Sequence, residues 1–113
     1  MLTRHLIQSA KLAFLRFTEF TVAEYSEEGI LAIAIHPGSV PTEGSFNMQE
    51  DEEWRKIFTD SPELAGDFVV WLTKERRAWL NGRFVDCTWD VKELEEKKED
   101  IVKNDKLKVR LVV

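Results

Sequence analysis

Apolar and polar positions alternate along this chain with periods that name its elements. In "QSAKLAFLRFTEFTVAEYSEEG", residues 8–29, Ala10, Ala13, Phe14, Phe17, Phe20 and Ala23 recur at helical spacing and give a wide apolar stripe. Gly29 suits the position just past the end of such a helix. Residues 30–35, "ILAIAI", are apolar without interruption, the pattern of a strand covered on both faces in a parallel sheet, and too short for a buried helix. His36, Pro37 and Gly38 then break the run.

Farther on, "SPEL" predicts a helix start. Ser61 can accept from the first free amides and Pro62 stands where a helix tolerates proline, with Leu64, Phe68, Val69 and Leu72 on one face. Gly82 turns the chain into "RFVDC", a short strand. "DVKELEEKKEDIVKN" reads as one solvated, charged helix in which Glu93 and Lys97 stand one turn apart, and "KLKVRLVV" alternates Leu107, Val109, Leu111 and Val113 against Lys108 and Arg110 as a half-buried strand would. Helix, strand, loop, helix, strand is an α/β order.

Composition narrows the function. One domain at most fits in 113 residues, and at this length folding buries roughly two-thirds of the unfolded chain's surface. Sixteen Lys and Arg against 21 Asp and Glu leave a net charge of −5, with the basic residues scattered, so nucleic acid is excluded as a partner. The single cysteine, Cys87, cannot form an internal disulfide, and a reducing compartment is the default. No apolar stretch reaches about 18 residues and the first residues lack a signal-peptide core, which predicts a cytoplasmic protein away from membranes. No second ligand stands at metal spacing to His36, so no metal site is expected, and His36 itself reads as a hydrogen-bonding residue at a strand end.

A resemblance is carried by "SAKLAFLRFTEFTVAEYSEEGILAIAIHPGSVPT" and "LNGRFVDC". From Gln8 to about Trp89 the chain resembles the C-terminal half of a short-chain dehydrogenase/reductase, a family in which Tyr-x-x-x-Lys opens a long helix, the helix feeds a buried strand, and the strand ends in Pro-Gly-x-Val/Ile-x-Thr. Lys11, Pro37, Gly38, Val40 and Thr42 stand in register with that layout, while Cys87 and Thr88 replace the glycines that usually close the last core strand. The resemblance implies the distal part of a Rossmann-like, doubly wound parallel sheet over residues 8–90, preceded by a non-matching 1–7 and followed by a charged helix and strand over 91–113.

It also implies roles. The Val40 backbone would meet a nicotinamide carboxamide and the Thr42 hydroxyl a pyrophosphate, with Pro37 and Gly38 shaping the turn. Lys11 would hold ribose hydroxyls and lower the pKa of the catalytic tyrosine. That tyrosine is replaced by Ile7, which has no proton to give, and His5 is rotated by roughly 200° from the required position on an ideal helix. The glycines never cluster as a nucleotide loop. The expectation is the distal half of an NAD(P)-dependent oxidoreductase acting on an alcohol or carbonyl, truncated before its tyrosine and binding no NAD or NADP by itself. A gene start lying upstream accounts for this, as does a trimmed paralogue. The alternatives are a catalytically dead dimerising module and a small α/β binding domain. A homo-oligomer through residues 8–28 and 61–80 is expected, because "ILAIAI" lacks one of its two neighbouring strands. "QEDEEW", residues 49–54, falls where the family's mobile lid sits; Trp71, Trp79 and Trp89 read as core or interface anchors, and Trp54 as a residue facing a substrate pocket.

Overall fold

A computed structural model describes residues 4–43 and 56–113. The helix α1 runs Arg4–Tyr25, tightens into a 3-10 turn at Ser26–Glu28 and ends at Gly29, whose positive φ of 82° lets its amide close back on the Ser26 carbonyl at 3.0 Å. The strand β1 (Ala34–His36) follows, then α2 (Pro62–Lys74), a 3-10 turn (Ala78–Leu80), β2 (Phe84–Asp86), and two short helices, α3 (Val91–Glu96) and α4 (Lys98–Lys103). The fold is α/β, with β1 and β2 forming a two-stranded parallel sheet that pairs Ala34 with Phe84, Ile35 with Val85 and His36 with Asp86. That architecture is compatible with a partial Rossmann-like sheet.

Only Ala34 and Ile35, the last third of the "ILAIAI" run, have regular strand geometry, although its pairing begins earlier. The Asn81 side chain holds the Ala32 amide at 2.9 Å and the Gly82 amide holds the Ala32 carbonyl at 2.7 Å. Even-numbered residues of the run therefore bond toward β2. Period-two alternation turns the backbone of Leu31, Ile33 and Ile35 to the opposite edge, where no strand pairs among the described residues.

The core lies against one face of the sheet, where Ile33 and Ile35 of the run pack on it. Leu80 and Val85 are fully enclosed, joined by Phe68 and Leu72 of α2, Cys87, Leu94 of α3 and Ile101 of α4. Trp71, Trp79 and Trp89 pack against this cluster, as anchors were expected to; Trp54 and "QEDEEW" lie outside the described residues. At the start of α2, Ser61 has the extended backbone of a cap and Pro62 takes the first turn, but the Ser61 side chain makes no capping bond; its carbonyl accepts from Leu64 instead.

Two expectations need correction. The charged stretch is not one helix: Lys97 closes α3 and opens α4, its backbone near φ −87°, ψ 0° and its amide shared between the Glu93 and Leu94 carbonyls, and each piece buries one residue in the core, Leu94 and Ile101. Asp90 caps α3 with bonds to the Lys92 and Glu93 amides. Nor is "KLKVRLVV" a strand. Asp105 and Leu107 have positive φ, 48° and 65°, and the buried Arg83 guanidinium pulls the segment into a turn by bonding the Asp105 carboxylate at 2.9 Å and the Lys106 carbonyl at 2.8 Å. One backbone bond, from the Phe84 amide to the Leu107 carbonyl at 2.8 Å, ties the segment to the edge of β2.

Candidate functional site

β1 with the Pro37–Gly38 turn that follows it, Phe84 at the start of β2 and the face of α1 from Ile7 to Thr18 enclose an open, largely apolar cleft of about 780 Å³. Ile7, Gln8 and Lys11 reach it from α1, because positions four apart share a helix face. His36, Pro37 and Gly38 reach it from the strand end, and Phe84 from β2. The structure thus brings Ile7, Lys11, Pro37 and Gly38 to one cleft. Val40 and Thr42 continue the same segment but are not among the lining residues, and His5 is exposed outside it.

Gly38 sits in the left-handed region at φ +83°, where a side chain is strained. A Cβ there would approach the Asp60 carboxylate at 3.1 Å and the Cys87 sulfur at 3.3 Å. The turn is tied down at Ser39: the Asp60 carboxylate accepts the Ser39 amide at 2.7 Å, and the Asp60 amide donates to the Ser39 carbonyl at 3.1 Å. Asp60 is a participant that sequence reasoning missed. Its position beside "SPEL" reads as helix punctuation, and nothing local signals a contact 21 residues back.

His36 caps the strand as expected. Its backbone carbonyl accepts the Cys87 amide at 3.0 Å and its Nδ1 accepts the Gly38 amide, also at 3.0 Å. Asp86, its register partner, presents Oδ2 3.9 Å from the same nitrogen, while the other carboxylate oxygen is held by the Thr88 amide and hydroxyl. The His36 ring meets Phe84 edge-on, and Phe84 meets Trp89 the same way. Burial, followed by the Asp86 and Asp60 charges, pushes the Cys87 thiol up, which keeps it protonated and inert at neutral pH.

Among the described residues no group of three or more His, Cys, Asp or Glu could hold a metal ion, and no helix is long and apolar enough to cross a membrane. The cleft is lined mostly by apolar side chains, with the Lys11 cation on one wall and the His36 and Phe84 rings on another.

Comparison with known proteins gives consistent names. The short chain dehydrogenase mpl6 of Monascus purpureus is 52% identical over 106 residues, covering 94% of this chain and 36% of that protein. The short chain dehydrogenase pgmD of Aspergillus terreus is 45% identical over 103 residues, 91% of this chain and 33% of its own length, and pigC of Monascus ruber, of the same description, is 41% identical over 108 residues, 93% and 35%. The chain spans about a third of the length of the curated relatives it matches. No protein-family profile and no solved structure matches it.

Proposed function

Because this chain is related over most of its length to a segment of the short chain dehydrogenases, we propose that it is the nicotinamide-facing distal part of an NAD(P)-dependent oxidoreductase acting on an alcohol or carbonyl, and that it is inactive by itself. The observation that carries this reading is the cleft that gathers Ile7, Lys11, Pro37 and Gly38 at the C-terminal end of β1, the end of a parallel strand at which open α/β sheets take their ligands.

The residues fit the nicotinamide end of such a cofactor. Pro37 and Gly38 would present backbone to a flat ring, in a turn that packs against Asp60 and Cys87 and is tied to Asp60 at Ser39. Lys11 would donate to ribose hydroxyls, the Val40 backbone would meet the carboxamide, and the Thr42 hydroxyl the pyrophosphate. When bound, the nicotinamide supplies the hydride acceptor or donor. Proton transfer is the step without a carrier, since Ile7 stands one turn from Lys11 with no ionisable group. General acid–base catalysis contributes about 10²–10⁴-fold, so its loss leaves turnover negligible.

The first test is turnover of secondary alcohols and ketones with NAD(H) and NADP(H), followed by absorbance of the reduced cofactor. None is expected; turnover that disappears in Lys11→Ala would overturn the reading. Repair is the second test. Joining the chain to the upstream portion of a relative, with Ile7→Tyr, should restore cofactor binding and activity, and Thr42→Ala in that chimera should weaken binding by about 0.5–1.5 kcal/mol, the value of one hydrogen bond. Unchanged affinity would place the pyrophosphate elsewhere.

A second reading is favoured by one observation. Phe14, Phe17 and Phe20 are all more than half exposed on α1, a surface suited to association, and a non-catalytic dimerising module would use it.

A further inference from the structure

The turn that opens the cleft is held by a side chain with two mutually exclusive partners. His36 Nδ1 accepts the Gly38 amide at 3.0 Å, which it can do only while that nitrogen carries a lone pair. In the neutral ring the proton is then on Nε2. The same Nδ1 lies 3.9 Å from Asp86 Oδ2, the carboxylate oxygen that Thr88 leaves open. Once protonated, Nδ1 can no longer accept from Gly38 and becomes a donor with an anion close by. The two contacts favour opposite protonation states of one ring.

We propose that His36 is a positioning residue for the Pro37–Thr42 turn, its neutral imidazole holding the Gly38 amide through Nδ1 and its protonated form releasing that amide in favour of Asp86. The surroundings allow the exchange. The ring is half-exposed and packs edge-on against Phe84, so a small rotation suffices, and the strand end stays paired because the His36 carbonyl keeps the Cys87 amide in either state. Other ionisable groups lie around it: Lys11 of α1 lines the same cleft, Asp60 holds the Ser39 amide, and the Cys87 sulfur sits against Gly38. Asp60 continues to anchor the turn at Ser39 when His36 lets go at Gly38, so release loosens the first half of the turn alone.

The consequence for catalysis rests on the reading of this turn as the nicotinamide contact: cofactor grip would weaken once the imidazole is protonated. The contact itself is tested without any cofactor, on the full chain labelled with ¹⁵N. At high pH the ring nitrogens of His36 should report the Nε2–H tautomer. On acidification the Gly38 amide resonance should move with the same midpoint as the His36 ring, and its exchange protection should drop by roughly 2- to 10-fold, the size of one hydrogen bond.

His36→Asn supplies the discriminating arm. An asparagine oxygen can accept the amide two residues on, and it does not titrate, so Gly38 should stay near its high-pH position throughout. His36→Phe should lose the protection at every pH. An Nδ1–H tautomer, a Gly38 amide that ignores His36 protonation, or a Gly38 amide that still titrates in His36→Asn would each overturn the assignment. The wild-type tautomer decides even where a variant fails to fold. No cofactor is present in these arms, so failure here belongs to the His36 contact, whereas failure of the nicotinamide reading shows separately in the Thr42→Ala chimera.

Discussion

Two glycines of this chain have opposite relations to a methyl group. Gly38 combines φ +83° with the Asp60 carboxylate and the Cys87 sulfur 3.1–3.3 Å from where a Cβ would stand, while Gly66 lies inside α2 with nothing within 4 Å. Left-handed backbone costs an alanine about 1–2 kcal/mol, and the crowding at Gly38 adds to that because Asp60 is fixed by its bonds to Ser39. Gly38→Ala should therefore destabilise the chain by about 2 kcal/mol or more in urea unfolding, and Gly66→Ala should stabilise it by about 0.5–1 kcal/mol through helix propensity. Equal effects at the two sites would mean that the turn yields without strain. The "HPG" stretch was legible as a strand stop. The tie to Asp60 was not, because a hydrogen bond across 21 residues leaves no periodic trace in a sequence.

At the scale of elements, the signals that could be read were those made locally. Pro62 at the start of α2, Gly29 after α1 and the apolar "ILAIAI" run each announce structure through neighbours only. What escaped depends on a distant cation. Arg83 is buried, and its guanidinium collects the Trp79 carbonyl, the Lys106 carbonyl and the Asp105 carboxylate, which bends residues 104–107 out of strand geometry. Asp105 also binds Lys108 at 2.7 Å and Arg110 at 3.0 Å, and Arg110 reaches on to Glu19 of α1. Hydrogen bonds from Lys108 first, then from Arg83 and Arg110, hold the Asp105 carboxyl far below the usual carboxylate range. A depressed folded-state pKa contributes stability that is present above the unfolded value near pH 4 and is lost as pH falls through the folded one. The clasp should thus survive mild acid. Asp105 is half-exposed, so solvent screening discounts its charge, and Asp105→Ala should cost about 1–2 kcal/mol, mostly by leaving buried Arg83 short of a partner. Hydrogen exchange at the Phe84 amide, which depends on the Leu107 carbonyl, should quicken in that variant from pH 5 to 8. An unchanged rate would mean that Arg83 and the Lys106 carbonyl hold the segment unaided.

The molecule as a whole exposes more than its size predicts. Its accessible surface of 8676 Å² exceeds by about a third the roughly 6,400 Å² of a compact 13.2 kDa monomer, and its radius of gyration of 15.9 Å exceeds the roughly 13 Å of a 113-residue domain. The exposed C-terminal residues Leu111–Val113 contribute, and so does α1. Leu15, Thr18, Glu19 and Val22 are its half-buried side, whereas the apolar stripe of Ala10, Ala13, Phe17 and Phe20 faces away, so the helix contributes no residue to the core. The sequence pattern identified the stripe correctly and could not say which surface it meets. Beyond it, the unpaired edge at Leu31, Ile33 and Ile35 adjoins an open groove bounded by Leu72 and the end of α2, and the C-terminal segment covers the opposite edge, at β2, through Leu107. Apolar surface is worth about 25 cal/mol per Å², so several hundred Å² buried between copies would drive association by several kcal/mol before entropic costs. Dimers or larger species are the expected outcome at micromolar concentration in light scattering after size exclusion. Phe17→Glu with Phe20→Glu should shift that population toward monomer while leaving the urea midpoint nearly unchanged, because neither ring packs in the core. Persistence of the assembly in this variant would assign it to the open strand edge, and a monomeric wild type would remove the α1 stripe as an interface and with it the dimerising-module reading.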